Sequence, residues 1–182
     1  MECRLSGSGG QGIILAGIIL AEAAAIYEGK EVAQTQDYGP AARGDSSKTD
    51  IIISAEPIIY PKCSRLDLLL ALSQRGYDEN LLSVKRNGVI IIDSDNVRPA
   101  GRGGIIRLPM TTLARERAGS AVSVNMVALG VIAAAADVVR IESVELSMLE
   151  RVPPHTREQN RAALMAGFQA AQESRKAKKR VG

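Results

Sequence analysis

A chain of 182 residues, 46% apolar and 24% charged, is long enough for one well-buried core and too short for two ordinary domains. Aromatic residues make up only 3%, with one Phe and no Trp, which argues against holding single-stranded nucleic acid by base stacking. The net charge of +3 resides in the last eight residues, where Arg175, Lys176, Lys178, Lys179 and Arg180 occur without an acid; the remainder has 18 basic against 20 acidic residues and lacks the basic stripe of a nucleic-acid protein.

Residues 2–6 read as a short strand, followed by Gly7-Ser8-Gly9-Gly10-Gln11-Gly12 and an apolar helix from about Ile13 to Glu28. A glycine loop opening a helix presents free N–H groups and the positive helix end, a ready phosphate site. Gly7-x-Gly9-x-x-Gly12 also satisfies the dinucleotide fingerprint, although glycine turns between strand and helix occur for purely structural reasons too. Gln11 is expected to hydrogen-bond a ligand amide. The helix is interrupted by Gly17 and Glu22 and falls short of the roughly 20 apolar residues that a bilayer needs, so no membrane contact is expected. Gly29 closes it.

Glu31–Gln36 reads as the second strand, residues 37–48 as a polar turn-rich loop and Thr49–Ser54 as the third strand. Asp37 is the sole candidate for the ribose-binding acid of a nicotinamide site, and it lies 25 residues past Gly12, where about 20 is usual. Arg43, among Pro40, Ala41, Ala42 and Gly44, is a candidate phosphate or carboxylate clamp, with a solvated surface arginine as the alternative. Leu66–Leu72 is a fourth apolar run, followed by a helix from about Gln74 to Lys85, a fifth strand Gly88–Asp93 and a sixth at Gly104–Leu108. Apolar runs without alternation mark strands covered on both faces, and strands alternating with helices mark right-handed crossovers in a parallel sheet. The predicted fold is a doubly wound α/β domain, mainly parallel, with a helical C-terminal third. One domain is expected over residues 1–175, with a basic tail at 176–182.

The helical third comprises Met110–Arg117, Val124–Val139, Ser143–Arg151 and a final helix over about 157–178. Small residues in Val124–Val139 predict either tight packing on the sheet or a subunit contact. Ser143 is expected to cap its helix with Leu146 and Leu149 inward, and Thr156 to cap the last helix, whose Leu164 and Phe168 share a face.

Ligands of an open parallel sheet bind beyond the carboxyl ends of its strands. Three segments are expected there: the glycine loop, the loop from Asp37 to Asp45, and Asp93-Ser94-Asp95-Asn96. Cys3 and Cys63 have no C-x-x-C neighbour, so a metal or iron–sulfur site is not expected; they suit a reducing cytoplasm. His155, the one histidine, is a weak candidate base. No catalytic constellation can be assembled, which fits a subunit that binds and positions while chemistry proceeds on another chain.

Four stretches carry a family resemblance: Gly7–Gly12, Tyr38-Gly39-Pro40-Ala41-Ala42-Arg43-Gly44, Asn125 to Gly130, and the spacing of Asn160 to Gly167. Together, over about residues 2–170, they resemble the gamma subunit of 2-oxoacid:ferredoxin oxidoreductases. Tyr60-Pro61-Lys62 and the run from Leu66 to Gln74 look most like the stand-alone gamma subunits that serve 2-oxoglutarate. The resemblance implies a multi-subunit enzyme that decarboxylates a 2-oxoacid, reduces ferredoxin and forms an acyl-coenzyme A. It implies thiamine diphosphate, magnesium and iron–sulfur clusters on partner subunits, namely thiamine-binding alpha and beta chains and a ferredoxin-like delta chain. For this chain it implies coenzyme A handling and packing against the thiamine-binding parts, with Gly7, Ser8, Gly9, Gly10, Gln11, Gly12, Tyr38 and Arg43 contacting either part of coenzyme A or the neighbouring subunit. Asp45 departs from the family's small residue: it either faces away from the ligand or pairs with Arg43. The competing readings are a free-standing NAD-binding protein and a pure scaffold.

Overall fold

A computed structural model describes residues 1–38, 46–100 and 104–181. A six-stranded sheet has the order β2-β3-β1-β4-β5-β6, where β1 is Glu2–Ser8, β2 Glu31–Tyr38, β3 Ser46–Ser54, β4 Leu66–Ala71, β5 Val84–Asp93 and β6 Ile105–Leu108. β1, β4, β5 and β6 pair in parallel; β3 runs antiparallel to both β1 and β2. The sheet is therefore antiparallel on one side and parallel on the other, within the expected α/β class.

The parallel half follows from sequence. On β4, Leu68 and Leu70 enter the larger core while Leu69 and Ala71 enter a second core on the opposite face. On β5, Ile91 faces the first core, and Ile90 and Ile92 the second. Two covered faces leave no position for a polar residue, hence the unbroken apolar runs. The first core lies under α1 (Ile13–Ile26), α3 (Met110–Ala118), α4 (Val124–Ala135), α5 (Ile141–Arg151) and α6 (Arg157–Val181). The second lies under α2 (Gln74–Asn80), whose Tyr77 packs onto β4 and β5.

The antiparallel half departs from expectation. β2 and β3 reach into the stretch read as a polar loop, with Gln36 opposite Thr49, Asp37 opposite Lys48 and Tyr38 opposite Ser47. One face of this half carries charge instead of a core. Arg4 makes a bidentate pair with Asp50, with both N–O distances 2.6 Å, and also donates to Asn80 Oδ1 at 2.9 Å. Asp37 pairs with Lys48 at 3.1 Å. Asp37 and Lys48, read from sequence as loop residues, are cross-strand partners on this face.

α5 is also phased differently from expectation. It starts after Arg140, Ser143 is buried within it, and Leu146 is half exposed; Val144, Ser147 and Met148 face inward. The reason is close approach: the small Ser147 donates to the Ile19 carbonyl of α1 at 3.0 Å. Thr156 donates its hydroxyl to the Pro153 carbonyl, closing the turn ahead of α6.

Carboxylates stitch the ends of these elements. Burial raises the Glu28 pKa, but hydrogen bonds from Lys30, the Arg140 N–H and Ser143 outweigh this and hold it below 4.5. Asp67, likewise burdened by burial, is held below 3.8 by Lys85 and the Glu2 N–H. A depressed folded pKa stabilises above the unfolded value and is lost as pH falls through the folded one. Stability should therefore start to decline as pH drops through about 4.5. Glu28→Gln should flatten that decline, read as the urea midpoint against pH.

Candidate functional site

Parallel pairing places Ser8, Ala71, Asp93 and Leu108 at one edge of the sheet. β2 ends there as well, because it is antiparallel to β3, and the row of Gly7 runs through Ser47 to Tyr38. The three expected loops thus start from one edge. Residues 39–45, including Arg43 and Asp45, lie outside the described residues, as does the side chain of Tyr38.

β1 leads into α1 on one face and β4 into α2 on the other, so the topological switch point lies between β1 and β4. The glycine loop and residues 72–74 flank this crevice, and Gln11 spans it. Its Oε1 accepts the Ser8 N–H at 2.7 Å, and its Nε2 donates to the Leu72 carbonyl at 3.2 Å. Gln11 therefore ties the glycine loop to the end of β4, using one donor and one acceptor site of its amide. Ser8-Gly9-Gly10-Gln11 has the S-x-x-Q spacing of a capping box, and that signal could have revealed this return bond.

The loop's glycines have different reasons. Gly12 precedes α1 at φ +69°, and a Cβ there would stand 2.8 Å from the Asn125 side-chain carbon, Cγ. Asn125, on α4, donates to the Gly12 carbonyl at 3.3 Å. Asn125 thus braces the loop, a role that the sequence alone did not disclose. Gly7 would drive a Cβ to 2.6 Å from Gln11 Oε1. Gly10, at φ +91°, has nothing within 4 Å of a Cβ position, and Gly9 and Gly10 are exposed. Gly12 makes no side-chain cap, so the first-turn N–H groups of α1 have no side-chain acceptor there. Gly9 and Gly10 therefore form the open part of the loop, beside the positive end of a 14-residue helix.

The other candidates resolve otherwise. Asp37 lies on β2, separated from β1 by β3, hence about 9.6 Å away by strand spacing. It belongs to the open polar face and pairs with Lys48, so it is misplaced for a ribose held at the glycine loop. Asp93 is fully buried and accepts from the N–H groups of Met110, Thr111 and Asp95, from the Thr111 hydroxyl and from Asn96 Nδ2. Asp95 accepts the Thr112 N–H at 2.7 Å. The acidic run thus holds the N-terminus of α3. Burial pushes the Cys3 and Cys63 thiols up to about 12, leaving both protonated at neutral pH. His155 is exposed in the turn between α5 and α6. Among the described residues, no cluster of His, Cys, Asp and Glu could hold a metal, and no helix is long and apolar enough to cross a membrane.

The small residues of α4 meet α6 of the same chain. A Cβ on Gly130 would overlap the Leu164 carbonyl oxygen, and one on Gly167 the Val127 carbonyl oxygen. Arg175 of α6 donates to the Ala134 carbonyl near the end of α4.

The family model described as pyruvate ferredoxin/flavodoxin oxidoreductase matches residues 2–170. The chain is 43% identical to 2-oxoglutarate synthase subunit KorC of Methanocaldococcus jannaschii over 176 residues, 94% of each chain. It superposes on the gamma subunit of keto/oxoacid ferredoxin oxidoreductase from Geobacter sulfurreducens with a TM-score of 0.83 at 42% identity, covering 93% of this chain and 97% of that one. In ketoisovalerate oxidoreductase subunit VorA of Methanothermobacter thermautotrophicus, 36% identical over 137 residues, the match takes up 74% of this chain but only 28% of the relative. Relatives of this chain are therefore subunits of oxoacid:ferredoxin oxidoreductases, both stand-alone and fused within longer chains, and the chain belongs to the pyruvate ferredoxin/flavodoxin oxidoreductase family.

Proposed function

We propose that this chain is the gamma subunit of a 2-oxoglutarate:ferredoxin oxidoreductase, and that its glycine loop holds a phosphate of coenzyme A. The carrying observation is the end-to-end match with KorC, 94% of both chains, where the VorA match lies within a longer chain. The complex includes thiamine-binding alpha and beta chains and a ferredoxin-like delta chain, and it works in the cytoplasm. Thiamine diphosphate with magnesium on those chains supplies the decarboxylation, and iron–sulfur clusters carry electrons to ferredoxin. This chain contributes orientation. Gly9 and Gly10 leave room for an anion beside the α1 N-terminus; Gln11 and Asn125 fix the loop from both sides. Arg43 belongs to the segment joining two strand ends in the rows of Gly7 and Ser8, and it supplies a cation to the same anion.

Two substitutions at Gly10 isolate the charge. Asn and Asp are isosteric and share the same strain at positive φ, and a Cβ there has no heavy atom within 4 Å. In the complex purified through the tagged chain, Gly10→Asp should raise the KM for coenzyme A about tenfold in 2-oxoglutarate-dependent viologen reduction, about 1.4 kcal/mol of lost anion binding. Gly10→Asn should remain near wild type. Equal kinetics for the two variants would remove the anion from this loop. Activity with pyruvate in place of 2-oxoglutarate would remove the assigned substrate.

A further inference from the structure

Between α3 and α6 runs a shallow groove of about 370 Å³, lined among the described residues by these two helices alone. Its floor is made of small or flexible apolar side chains, Ala162, Met165, Ala166 and Ala170, with Leu113 of α3 as a wall. Arg117 and Glu173 mark its two ends. Gln159 donates to the Ala118 carbonyl at 2.6 Å, which places the C-terminus of α3, and Arg117 with it, at the Ala162 end. Glu173 lies 11 residues further along α6, about 16 Å away. Arg117 and Glu173 are both exposed.

We infer that this groove is the docking face for a second copy of the chain, packed as a two-fold dimer with the two α6 helices antiparallel. The charge pattern selects the occupant. An isologous interface requires a surface complementary to itself after a two-fold rotation. A two-fold axis through the middle of the groove, between Ala166 and Gln169, brings each Arg117 onto Glu173 of the second copy, one pair at each end. Alanines at 162, 166 and 170 allow the helices to approach at the short end of the 8–10 Å range of helix packing. The same arrangement brings the two Gln169 residues together near the axis. The dimer is independent of whether the glycine loop takes coenzyme A.

Sedimentation of the full chain at micromolar concentration tests this. Wild type should sediment at twice the chain mass. Arg117→Glu and Glu173→Arg should each weaken association at least tenfold by placing like charges together, and the double variant should restore it. Gln169→Cys should form an intermolecular disulfide under mild oxidation, whatever the strength of the charge pairs. A monomeric wild type would overturn the inference, as would a double variant that stays as weak as the singles. So would loss of co-purifying subunits from Arg117→Glu with self-association unchanged, because the groove would then belong to a different chain.

Discussion

Gly130→Ala should destabilise this chain by about 3 kcal/mol or more, lowering the midpoint of thermal unfolding by about 6–12 °C. Helix propensity predicts the opposite sign, because alanine is favoured over glycine by about 1 kcal/mol in a helix interior. Contact decides the outcome. A Cβ on Gly130 would overlap the Leu164 carbonyl oxygen and stand 2.7 Å from the Phe168 amide nitrogen, both backbone atoms of α6 that no rotamer change can move. Relief requires α6 to move away from α4 along its length, opening space beside Val127, Val131 and Leu164, all fully buried. Gly167→Ala presents the same problem from the other side, against the Val127 carbonyl. The two substitutions strain one helix pair, so the second should cost less in the presence of the first, a non-additivity that denaturant titration of the four variants would read. Stabilisation by either single substitution would show that the helices are not in contact here.

The sequence announced that α4 is rich in small residues, but not which neighbour needs them. Gly130 and Gly167 occur 37 residues apart, and only the return of α6 across α4 makes them a pair. The parallel half of the sheet was legible because burial on both faces writes itself into unbroken runs such as Val89-Ile90-Ile91-Ile92. The outer ends of β2 and β3 were not, because a strand with one polar face uses the vocabulary of a loop; Asp37 and Lys48 reveal themselves only in register. That register also separates this fold from a nicotinamide-binding one. With β3 between β1 and β2, the acid at the end of β2 is a strand too far from the glycine loop. Within the loop, the glycines were recognised as a unit, yet they divide into two kinds. Gly7 and Gly12 make room for Gln11 and Asn125, while Gly9 and Gly10 remain open to solvent.

Asp93 gives the second large effect, because its position at a strand's carboxyl end makes it look like a ligand group. Asp93→Ala should cost about 3–5 kcal/mol. The carboxylate is fully buried, and the Met110 N–H at 2.9 Å, the Thr111 hydroxyl at 2.5 Å and the Asn96 amide at 2.7 Å all converge on it. Proline at 109 provides no side-chain cap for α3, so the acid from β5 satisfies the helix end in its place. Alanine leaves those donors without an acceptor. Asparagine preserves the shape and one acceptor oxygen while turning an amide donor toward other donors, and should lose about half as much. Hydrogen exchange separates the structural role from a binding one: the amides of Met110 and Thr111 should lose protection in Asp93→Asn before the rest of α3 does. Intact protection in a folded variant with impaired turnover would return Asp93 to the ligand. The distinction matters for the whole edge, since α3 carries the Arg117 end of the groove and its N-terminus is held at the end of β5 by Asp93, Asp95 and Asn96. A loose α3 should therefore weaken the proposed self-association as well as stability, whereas the glycine loop, held by Gln11 and Asn125 on other elements, should keep the coenzyme A affinity proposed for it.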